Sequence, residues 1–507
     1  NAFDAAVAIA AALAVVEPYS SGFGGGGYFL LHRAVDGFEV MIDARETAPA
    51  QASAGMYLDA AGEPIPGASL NGARSAAIPG LAAGLAHLAQ HYGRLALADN
   101  LAAAIRLARE GFPVDGRYAR LAQMRERTLV AAGGARVFFD GGKPPRPGFV
   151  LKQPQLAATI AAFAARGAAG FYSGAVAGAL VDSVRAAGGI WGPADLAGYR
   201  VIERAPIKFT YHGARITSAP PSSAGGVTLA QALNILERFP LGDARAPAGA
   251  QLVVEALRRA FQDRNARLGD TDFVAVPVAR LIDKEYARRR AATIDPGRAT
   301  SSESLGPPLE LTQGNDTTHF SVIDAAGNRV AATLSINYSF GAGFVAGSTG
   351  VLLNDEMDDF SVRPGVPNAY QLKSDVANAI APGKRPLSSM TPTFVEDERG
   401  VLVLGAPGGS RIISQVLLAV LDYLQHPEVD LAKLVSAPRY HHQYWPDVVE
   451  VEPSGFDSGW IEALQAHGYT VRKGARLWGN MQAVFQPRGG GAAQAASDPR
   501  GRIGPVY

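Results

Sequence analysis

The sequence predicts a layered α/β protein whose β-sheets lie between layers of helices. Three observations lead to this prediction. Residues 81–212 are rich in Ala, Leu and Arg at helical spacing, the residues after 317 contain several short strand-like segments, and residues 296–316 between them are rich in Ser, Pro, Gly and Thr and lack periodicity. We therefore expect a helix-rich first part and a strand-rich second part, with no internal repeat.

Apolar residues with a period near 3.6 predict four helices outside the Ala-rich region. The first is a buried helix that ends before Pro18 and has about half the length needed to cross a bilayer. The third carries Arg and Glu, which we expect on its outer face. The four are Asp4–Val16, Thr228–Glu237, Gln251–Asn265 and Ile412–Leu424.

Alternating or β-branched apolar residues predict the strands. The first follows a run of four glycines, and a turn at Asp36–Gly37 separates it from the second. The predicted strands are Tyr28–His32, Phe38–Ile42, His319–Ile323, Val330–Ser335, Val351–Leu353 and Val401–Leu404.

Composition narrows the classes of function. The 507 residues include 47 Lys and Arg against 46 Asp and Glu, a net charge of +1 that gives no general attraction for nucleic acid or an anionic membrane. The absence of Cys excludes thiol nucleophiles, disulfides and zinc sites built on Cys. A small, locally recognised substrate fits better. Because the chain begins at Asn1 without an initiator Met, we expect a trimmed product, from which any signal peptide has been removed.

Thr317 lies where the aperiodic segment meets a predicted strand. A Thr hydroxyl becomes a useful nucleophile when a base is close, and a free α-amine on the same residue is such a base. This chemistry requires cleavage of the bond between Asp316 and Thr317, which a loop-to-strand boundary makes accessible. From these residues alone, an ordinary Thr-Thr pair that enters a strand remains open as the alternative.

Two further clusters have candidate roles. Gly408 and Gly409 follow a predicted strand and precede a helix, so their N–H groups could stabilise an oxyanion, although a plain turn remains open. Arg45 and the acidic stretch 354–359 could bind the carboxylate and the ammonium of an amino-acid head group. A solvated loop or a calcium site is the alternative for the acidic stretch, which lacks the spacing of an EF-hand.

Competing motifs are incomplete. The glycines at 24–27 are not followed by Lys and Ser or Thr, so they do not form a phosphate loop. His87 and His91 are four residues apart, but Leu88 stands where a zinc protease requires Glu.

In the order and content of these motifs, the chain resembles the γ-glutamyltransferases (glutathione hydrolases) of the N-terminal-nucleophile superfamily. The matching stretches occur in the family's order from Asn1 to the 410s. They are NAFDAAVA, VVEPYSSGFGGGGYFL, DARETAPA, PPSSAGGVTLAQALNILE, NDTTHFSVID, NYSFGAGFVAG, GVLLNDEMDDFS, KRPLSSMTPT and GAPGGSRII. The resemblance implies a four-layer αββα sandwich.

The resemblance also implies roles for individual residues. Thr317 matches the nucleophile, Gly408 and Gly409 match the oxyanion hole, and Ser335 matches a position, often Thr in relatives, that orients the nucleophile. The positions that match substrate-binding residues are Arg45, Ser388 and Ser389 for the α-carboxylate, Asn337, Glu356 and Asp359 for the α-ammonium, and Tyr370 in a lid loop over the pocket.

By the same resemblance, the chain is a zymogen. Self-cleavage between Asp316 and Thr317 gives a large subunit, 1–316, and a small subunit, 317–507, which stay associated as a heterodimer and form one catalytic unit. The expected partners are glutathione and other γ-glutamyl compounds, with amino acids or peptides as acceptors, and neither metal nor cofactor is required. A periplasmic or secreted location is implied.

Three alternatives remain. An acylase for glutaryl-type cephalosporin side chains and a poly-γ-glutamate depolymerase belong to the same superfamily. A non-catalytic amino-acid-binding protein could keep the Arg45 and Asp359 pocket without being cleaved. A glutaryl group has no ammonium to pair with Asp359, which favours a glutamyl substrate.

Overall fold

The computed structural model describes residues 1–305, 317–363 and 376–501. Within these ranges the α-helices are α1 (Ala2–Val16), α2 (Leu81–His91), α3 (Leu97–Glu110), α4 (Gly116–Met124), α5 (Glu126–Ala131), α6 (Ala135–Phe138), α7 (Pro154–Arg166), α8 (Ala169–Tyr172), α9 (Gly174–Ala186), α10 (Pro193–Gly198), α11 (Gly225–Leu236), α12 (Pro247–Arg267), α13 (Val278–Leu281), α14 (Lys284–Ala291), α15 (Arg411–Gln425), α16 (Leu431–Ser436) and α17 (Ser458–Ala466). The strands are β1 (Gly26–Arg33), β2 (Phe38–Ala44), β3 (Phe112–Pro113), β4 (Val150–Leu151), β5 (Ile202–Arg204), β6 (Ile207–Tyr211), β7 (Ala214–Ser218), β8 (Thr318–Ile323), β9 (Arg329–Ser335), β10 (Thr393–Glu396), β11 (Gly400–Gly405), β12 (Tyr440–His441), β13 (Val449–Val451), β14 (Val471–Lys473), β15 (Gln482–Pro487) and β16 (Gln494–Ser497).

Two antiparallel sheets form the centre of the molecule. One has the strand order β5-β2-β1-β9-β8 and the other β16-β15-β11-β10-β7-β6. Strands β8 and β9 pack on β11, and β8 also packs on β15, so the two sheets are stacked. Each sheet combines strands from both sides of residue 317. Strand β1 pairs with β9 from Gly26 opposite Ser335 to His32 opposite Arg329, and β7 pairs with β10.

Alternation along the strands produces two hydrophobic cores. In β1, Tyr28 and Leu30 belong to the core that contains the second sheet and helices α11, α12 and α15. Phe29 and Leu31 belong to the core that contains α1, α2, α3 and α7. Successive side chains of a strand point to opposite faces, so a sheet buried on both faces needs apolar residues throughout. The predicted four-layer αββα arrangement is confirmed.

Helix α12 corrects one expectation from the sequence. Its Arg and Glu side chains were expected to face solvent, but Glu255, Arg258 and Arg259 are each 0–1% exposed. Oε2 of Glu255 accepts a hydrogen bond from Arg259 Nη1 at 2.5 Å, and Arg258 pairs with Asp447. A partner within the helix and a partner from a distant part of the chain, Asp447, therefore allow these charges to be buried.

Other boundaries also differ from the expectations. Val351–Leu353 is not a strand, because Leu352 and Leu353 form isolated bridges to different partners, Val345 and Gly24. The end of the Ala-rich region forms β5 and β6 rather than helix. Strands β7, β10 and β12 to β16 were not predicted, and neither were the short strands β3 and β4 within the Ala-rich region. In the described part of the chain, no helix has the length and apolar character required to cross a membrane.

Candidate active site

Thr317 lies directly before β8, at the edge of the first sheet. The antiparallel register pairs Thr318 with Leu334, which brings Thr317 next to Ser335 at the end of β9. Oγ1 of Thr317 is 3.3 Å from Oγ of Ser335. Both residues are buried. The strand register therefore explains why these two hydroxyls, 18 positions apart in the sequence, are neighbours.

Asn337 follows Ser335 in a left-handed backbone conformation with a φ of +72°. Asn is among the residues that tolerate this region best. Its N–H donates to Oγ of Ser335 at 2.8 Å, and its Nδ2 donates to the carbonyl oxygen of Asp355 at 3.0 Å. Asn337 thus connects the Ser335 hydroxyl to the acidic stretch.

Arg45 extends from the end of β2 into a group of three carboxylates. Its Nη2 is 2.5 Å from Oδ2 of Asp359, and its Nη1 is 2.7 Å from Oε2 of Glu356 and 3.4 Å from Oε2 of Glu46. Its Nε donates to the carbonyl oxygen of Pro386 at 3.3 Å. Arg45 is fully buried, so its charge depends on these partners.

The protonation of this cluster follows from burial and charge. Burial opposes the charged form of Arg45, but Glu356, Glu46 and Asp359 raise the pKa of its guanidinium well above the usual value. Burial raises the pKa of Glu46 to about 7 and the pKa of Glu356 well above its usual range, against the effect of Arg45. The two fully buried carboxyls of this cluster, Glu46 and Glu356, therefore favour holding a proton near neutral pH.

Ser388 and Ser389 lie on the segment that leads into β10. Ser388 is fixed by its backbone, because its N–H donates to the carbonyl oxygen of Ser222 at 3.0 Å and its carbonyl accepts the N–H of Ala224 at 2.9 Å. Oγ of Ser389 is 3.4 Å from Nη2 of Arg264, a buried residue of α12. Burial lowers the pKa of Arg264 to about 10, while Asp359 opposes this shift.

Arg264 is a residue of the site that sequence reasoning missed. It belongs to the helix whose Arg residues were expected to face solvent, and a helical pattern alone cannot distinguish an exposed Arg from one buried against a distant segment. Glu46 was also missed, although it directly follows Arg45.

Gly408 and Gly409 connect β11 to α15. Their carbonyl oxygens accept the N–H groups of Arg411 and Ile412, each at 3.1 Å, which begins the helix. Within the described ranges, neither glycine N–H donates to a backbone carbonyl. Two unused donors at a helix N-terminus are suited to stabilising negative charge.

These groups converge on one small pocket with a volume of about 20 Å³, room for about one water molecule. It brings together most of the predicted residues. Its lining is Arg45, Thr317, Ser335, Asn337, Asp359, Leu387, Ser388, Ser389, Met390, Gly409, Ser410 and Ile412.

Four predicted residues are not part of this lining. Glu356 contacts the guanidinium of Arg45 without lining the pocket itself, and Gly408 directly precedes the lining residue Gly409. Asp316 and Tyr370 lie outside the described residues.

Elsewhere in the described residues, His32, Glu39 and Glu396 place potential metal-ligand atoms within 4.8 Å of one another. Oε2 of Glu39 is 2.8 Å from Nζ of Lys208 and 3.1 Å from Nη1 of Arg215, and Glu396 also pairs with Arg215. Because these cations already neutralise the carboxylates, the cluster is better explained as an ion-pair network between the two sheets.

Comparison with known proteins bears on this pocket. The sequence model described as gamma-glutamyltranspeptidase matches residues 1–506. The chain is 40% identical over 517 residues to the glutathione hydrolase proenzyme of Pseudomonas sp. (strain A14), with 99% of this chain and 89% of that protein covered. It is also 40% identical over 507 residues to the glutathione hydrolase proenzyme of Escherichia coli (strain K12), with 99% and 86% covered. The solved structure of a cephalosporin acylase from Bacillus halodurans superimposes with a TM-score of 0.85 at 26% identity, with 99% of this chain and 90% of that chain covered.

Proposed function

The chain belongs to the gamma-glutamyltranspeptidase family, and from this premise we propose that it is a self-cleaving proenzyme of a glutathione hydrolase and γ-glutamyltransferase. The observation that carries the proposal is the position of the Thr317 hydroxyl, which shares one pocket with the guanidinium of Arg45 and the carboxylate of Asp359. A nucleophile and a binding pair for a zwitterion are what the reaction needs.

Cleavage of the bond between Asp316 and Thr317 produces the subunits 1–316 and 317–507 and frees the α-amine of Thr317. In turnover, Thr317 Oγ attacks the γ-amide carbonyl, and its own amine accepts the hydroxyl proton. The N–H groups of Gly408 and Gly409 stabilise the tetrahedral oxyanion. The amine then protonates the leaving amine, and the γ-glutamyl ester on Thr317 is transferred to water or to the amino group of an amino acid or peptide.

The glutamyl head group is recognised by charge. We assign its α-carboxylate to Arg45, Ser388 and Ser389, and its α-ammonium to Asp359, with Asn337 and Glu356. Since Arg45 and Asp359 contact each other, entry of the head group exchanges one ion pair for two. Ser335 is assigned to orientation of Thr317.

The intact mass of the purified protein tests this proposal. Two chains that separate between Asp316 and Thr317, with release of p-nitroaniline from γ-glutamyl-p-nitroanilide, are the expected result. The Thr317→Ala variant should remain a single chain without activity. An uncut, inactive wild-type protein would refute the proposed function, and substantial cleavage of the Thr317→Ala variant would refute the assigned nucleophile.

A second candidate activity is glutaryl acylase, favoured by the likeness to the cephalosporin acylase of Bacillus halodurans. Comparison of γ-glutamyl-p-nitroanilide with glutaryl-p-nitroanilide, which lacks only the amino group, separates the two. We expect preference for the γ-glutamyl compound, because the glutaryl group has no ammonium to form the additional ion pair with Asp359. Preference for the glutaryl compound would support the acylase.

We also propose that the enzyme acts in the periplasm or outside the cell. The support is the membership of the gamma-glutamyltranspeptidase family, since the resemblance to that family implies such a location. Activity in the periplasmic or culture fraction of cells that express the complete gene would agree with this, whereas activity confined to the cytoplasmic fraction would contradict it.

A further inference from the structure

The side chain of Gln415 lies beneath the glycine loop of the proposed oxyanion hole. Gln415 belongs to α15 and is 2% exposed. Its Nε2 donates to the carbonyl oxygen of Pro407 at 2.9 Å. The bond therefore joins the helix to the peptide group that carries the N–H of Gly408.

Two glycines leave room for this amide. A Cβ atom at Gly408 would lie 2.8 Å from Nε2 of Gln415, and a Cβ atom at Gly479 would lie 1.9 Å from its Oε1. Both glycines have positive φ angles, +135° and +88°, which other residues rarely adopt. The amide of Gln415 is thus held between two backbone segments. Each segment can approach it closely because the residue nearest the amide, Gly408 or Gly479, has no side chain.

The hydrogen bond to Pro407 determines where the Gly408 N–H points. In a trans peptide, the C=O and N–H groups point in opposite directions, and the bond between Pro407 and Gly408 is trans. With its oxygen fixed toward Gln415, the peptide directs its N–H away from α15. Glycine flanks this peptide on its C-terminal side, so little else prevents the peptide from rotating.

We propose that Gln415 is a positioning residue for the oxyanion hole, because its amide fixes the Pro407–Gly408 peptide with the Gly408 N–H directed at the developing oxyanion. This proposal rests on the proposed function, in which Gly408 and Gly409 stabilise the tetrahedral intermediate. Gln415 acts through the backbone and does not touch the substrate. Its loss should therefore slow the chemical step more than it weakens substrate binding.

The first test is Gln415→Met, which keeps the length of the side chain and removes the donor. With activity normalised to the amount of cleaved subunit 317–507, we expect kcat for γ-glutamyl-p-nitroanilide to fall by about 10- to 100-fold, less than or similar to the loss of an oxyanion-hole donor. We expect KM to change by less than about threefold. A cleaved variant with kcat within twofold of wild type would overturn the proposal.

The second test is the pH profile of Gln415→Glu. The ionised carboxylate cannot donate to Pro407 and repels its carbonyl, whereas the neutral carboxyl can donate. Burial raises the pKa of an introduced carboxyl, so the donor returns as the pH falls through that raised value. The ratio of variant to wild-type kcat should therefore increase as the pH is lowered from 8 to 5. A ratio independent of pH would overturn the proposal even if Gln415→Met failed to fold.

Gln425, at the other end of α15, provides a matched control. Its Nε2 donates to the carbonyl oxygen of Gly242 at 2.5 Å, a bond of the same kind that lies away from the pocket. Gln425→Met should keep kcat, and an equal loss in both Met variants would overturn the proposal. An uncut, inactive wild-type protein would refute the proposed function itself, which distinguishes the two failures.

Discussion

Arg45 and Asp359 are in direct contact, with Nη2 of Arg45 2.5 Å from Oδ2 of Asp359, although 314 positions separate them in the sequence. Each neutralises the other, so the fully buried guanidinium of Arg45 has an anionic partner before a head group enters. The same two groups can then bind the carboxylate and the ammonium of an amino acid. The pair thus has a role in stability as well as the role proposed in recognition.

Replacement of Asp359 by Asn should weaken the recognition of the ammonium. Loss of a charge-assisted hydrogen bond costs roughly 1.5–3 kcal/mol, so we expect kcat/KM for γ-glutamyl-p-nitroanilide to fall by roughly 10- to 150-fold. Asp358→Asn is the control, since Asp358 accepts the hydroxyl of Ser69 at 2.6 Å and does not line the pocket. Unchanged kinetics in Asp359→Asn, or equal losses in both variants, would contradict the assignment.

Replacement of Arg45 by Ala should destabilise the protein as well as inactivate it. It leaves the buried Glu46 and Glu356 and the partly buried Asp359 without their shared cation, and breaking a buried ion pair in this way typically costs about 3–5 kcal/mol. Arg45→Lys keeps the charge but loses the fork geometry, so its stability loss should be smaller. Urea unfolding of both variants in the single-chain Thr317→Ala background measures this. Equal stability of Arg45→Ala and its parent would show that the cluster carries little net charge.

Replacement of Ser335 by Ala should slow both self-cleavage and turnover. The loss of one hydrogen bond between neutral groups predicts a decrease of about two- to tenfold in each rate. Ser335→Thr keeps the hydroxyl and should remain close to wild type. Ser321→Ala is a control on the neighbouring strand, because Ser321 contacts the ring of His319 rather than Thr317. The appearance of subunit 317–507 over time and kcat are the measurements, and normal rates in Ser335→Ala would reject the role of Ser335.

Three buried histidines should make the protein sensitive to mild acid. Burial lowers the pKa of His319 to about 3, of His441 to about 3 and of His442 to about 4. Below the unfolded value of about 6.5, the unfolded chain binds protons that the folded chain does not, so stability falls with pH from about 6.5 toward these lower values. Each histidine contributes up to about 1.4 kcal/mol per pH unit.

Unfolding of the Thr317→Ala chain between pH 7 and pH 5 measures this slope. His319→Gln should reduce the slope of stability against pH by up to about 1.4 kcal/mol per pH unit, the contribution of one proton, because Gln does not titrate. A slope unaffected by His319→Gln would show that folding does not lower the pKa of this histidine.

Local motifs allowed the sequence to predict the family, the fold and the kind of enzyme. The candidate nucleophile and the glycine pair both lie at junctions of elements that can be read from the chain. The resemblance then connected them with Arg45 and Asp359, and the structure brings Thr317, Gly409, Arg45 and Asp359 to one pocket.

What sequence could not predict depends on contacts between distant segments. Arg264 reaches Ser389 across 125 positions, and Gln415 matters because Gly479, 64 residues further on, approaches its amide. Hydrophobic periodicity describes the face of one helix and contains no information about which remote segment covers it. For the same reason, the Arg residues of α12 were expected in solvent.

The interleaved sheets have a consequence for the life of the enzyme after the proposed cut. Neither fragment contains the whole of either central sheet. Strand β1 from one fragment is hydrogen bonded along its length to β9 from the other. The precursor folds as one continuous chain, whereas the cleaved enzyme, once unfolded, would have to refold by association of two separate fragments. The cleaved enzyme would then persist through slow unfolding rather than ready refolding, so activation is also the point after which the fold is difficult to regain.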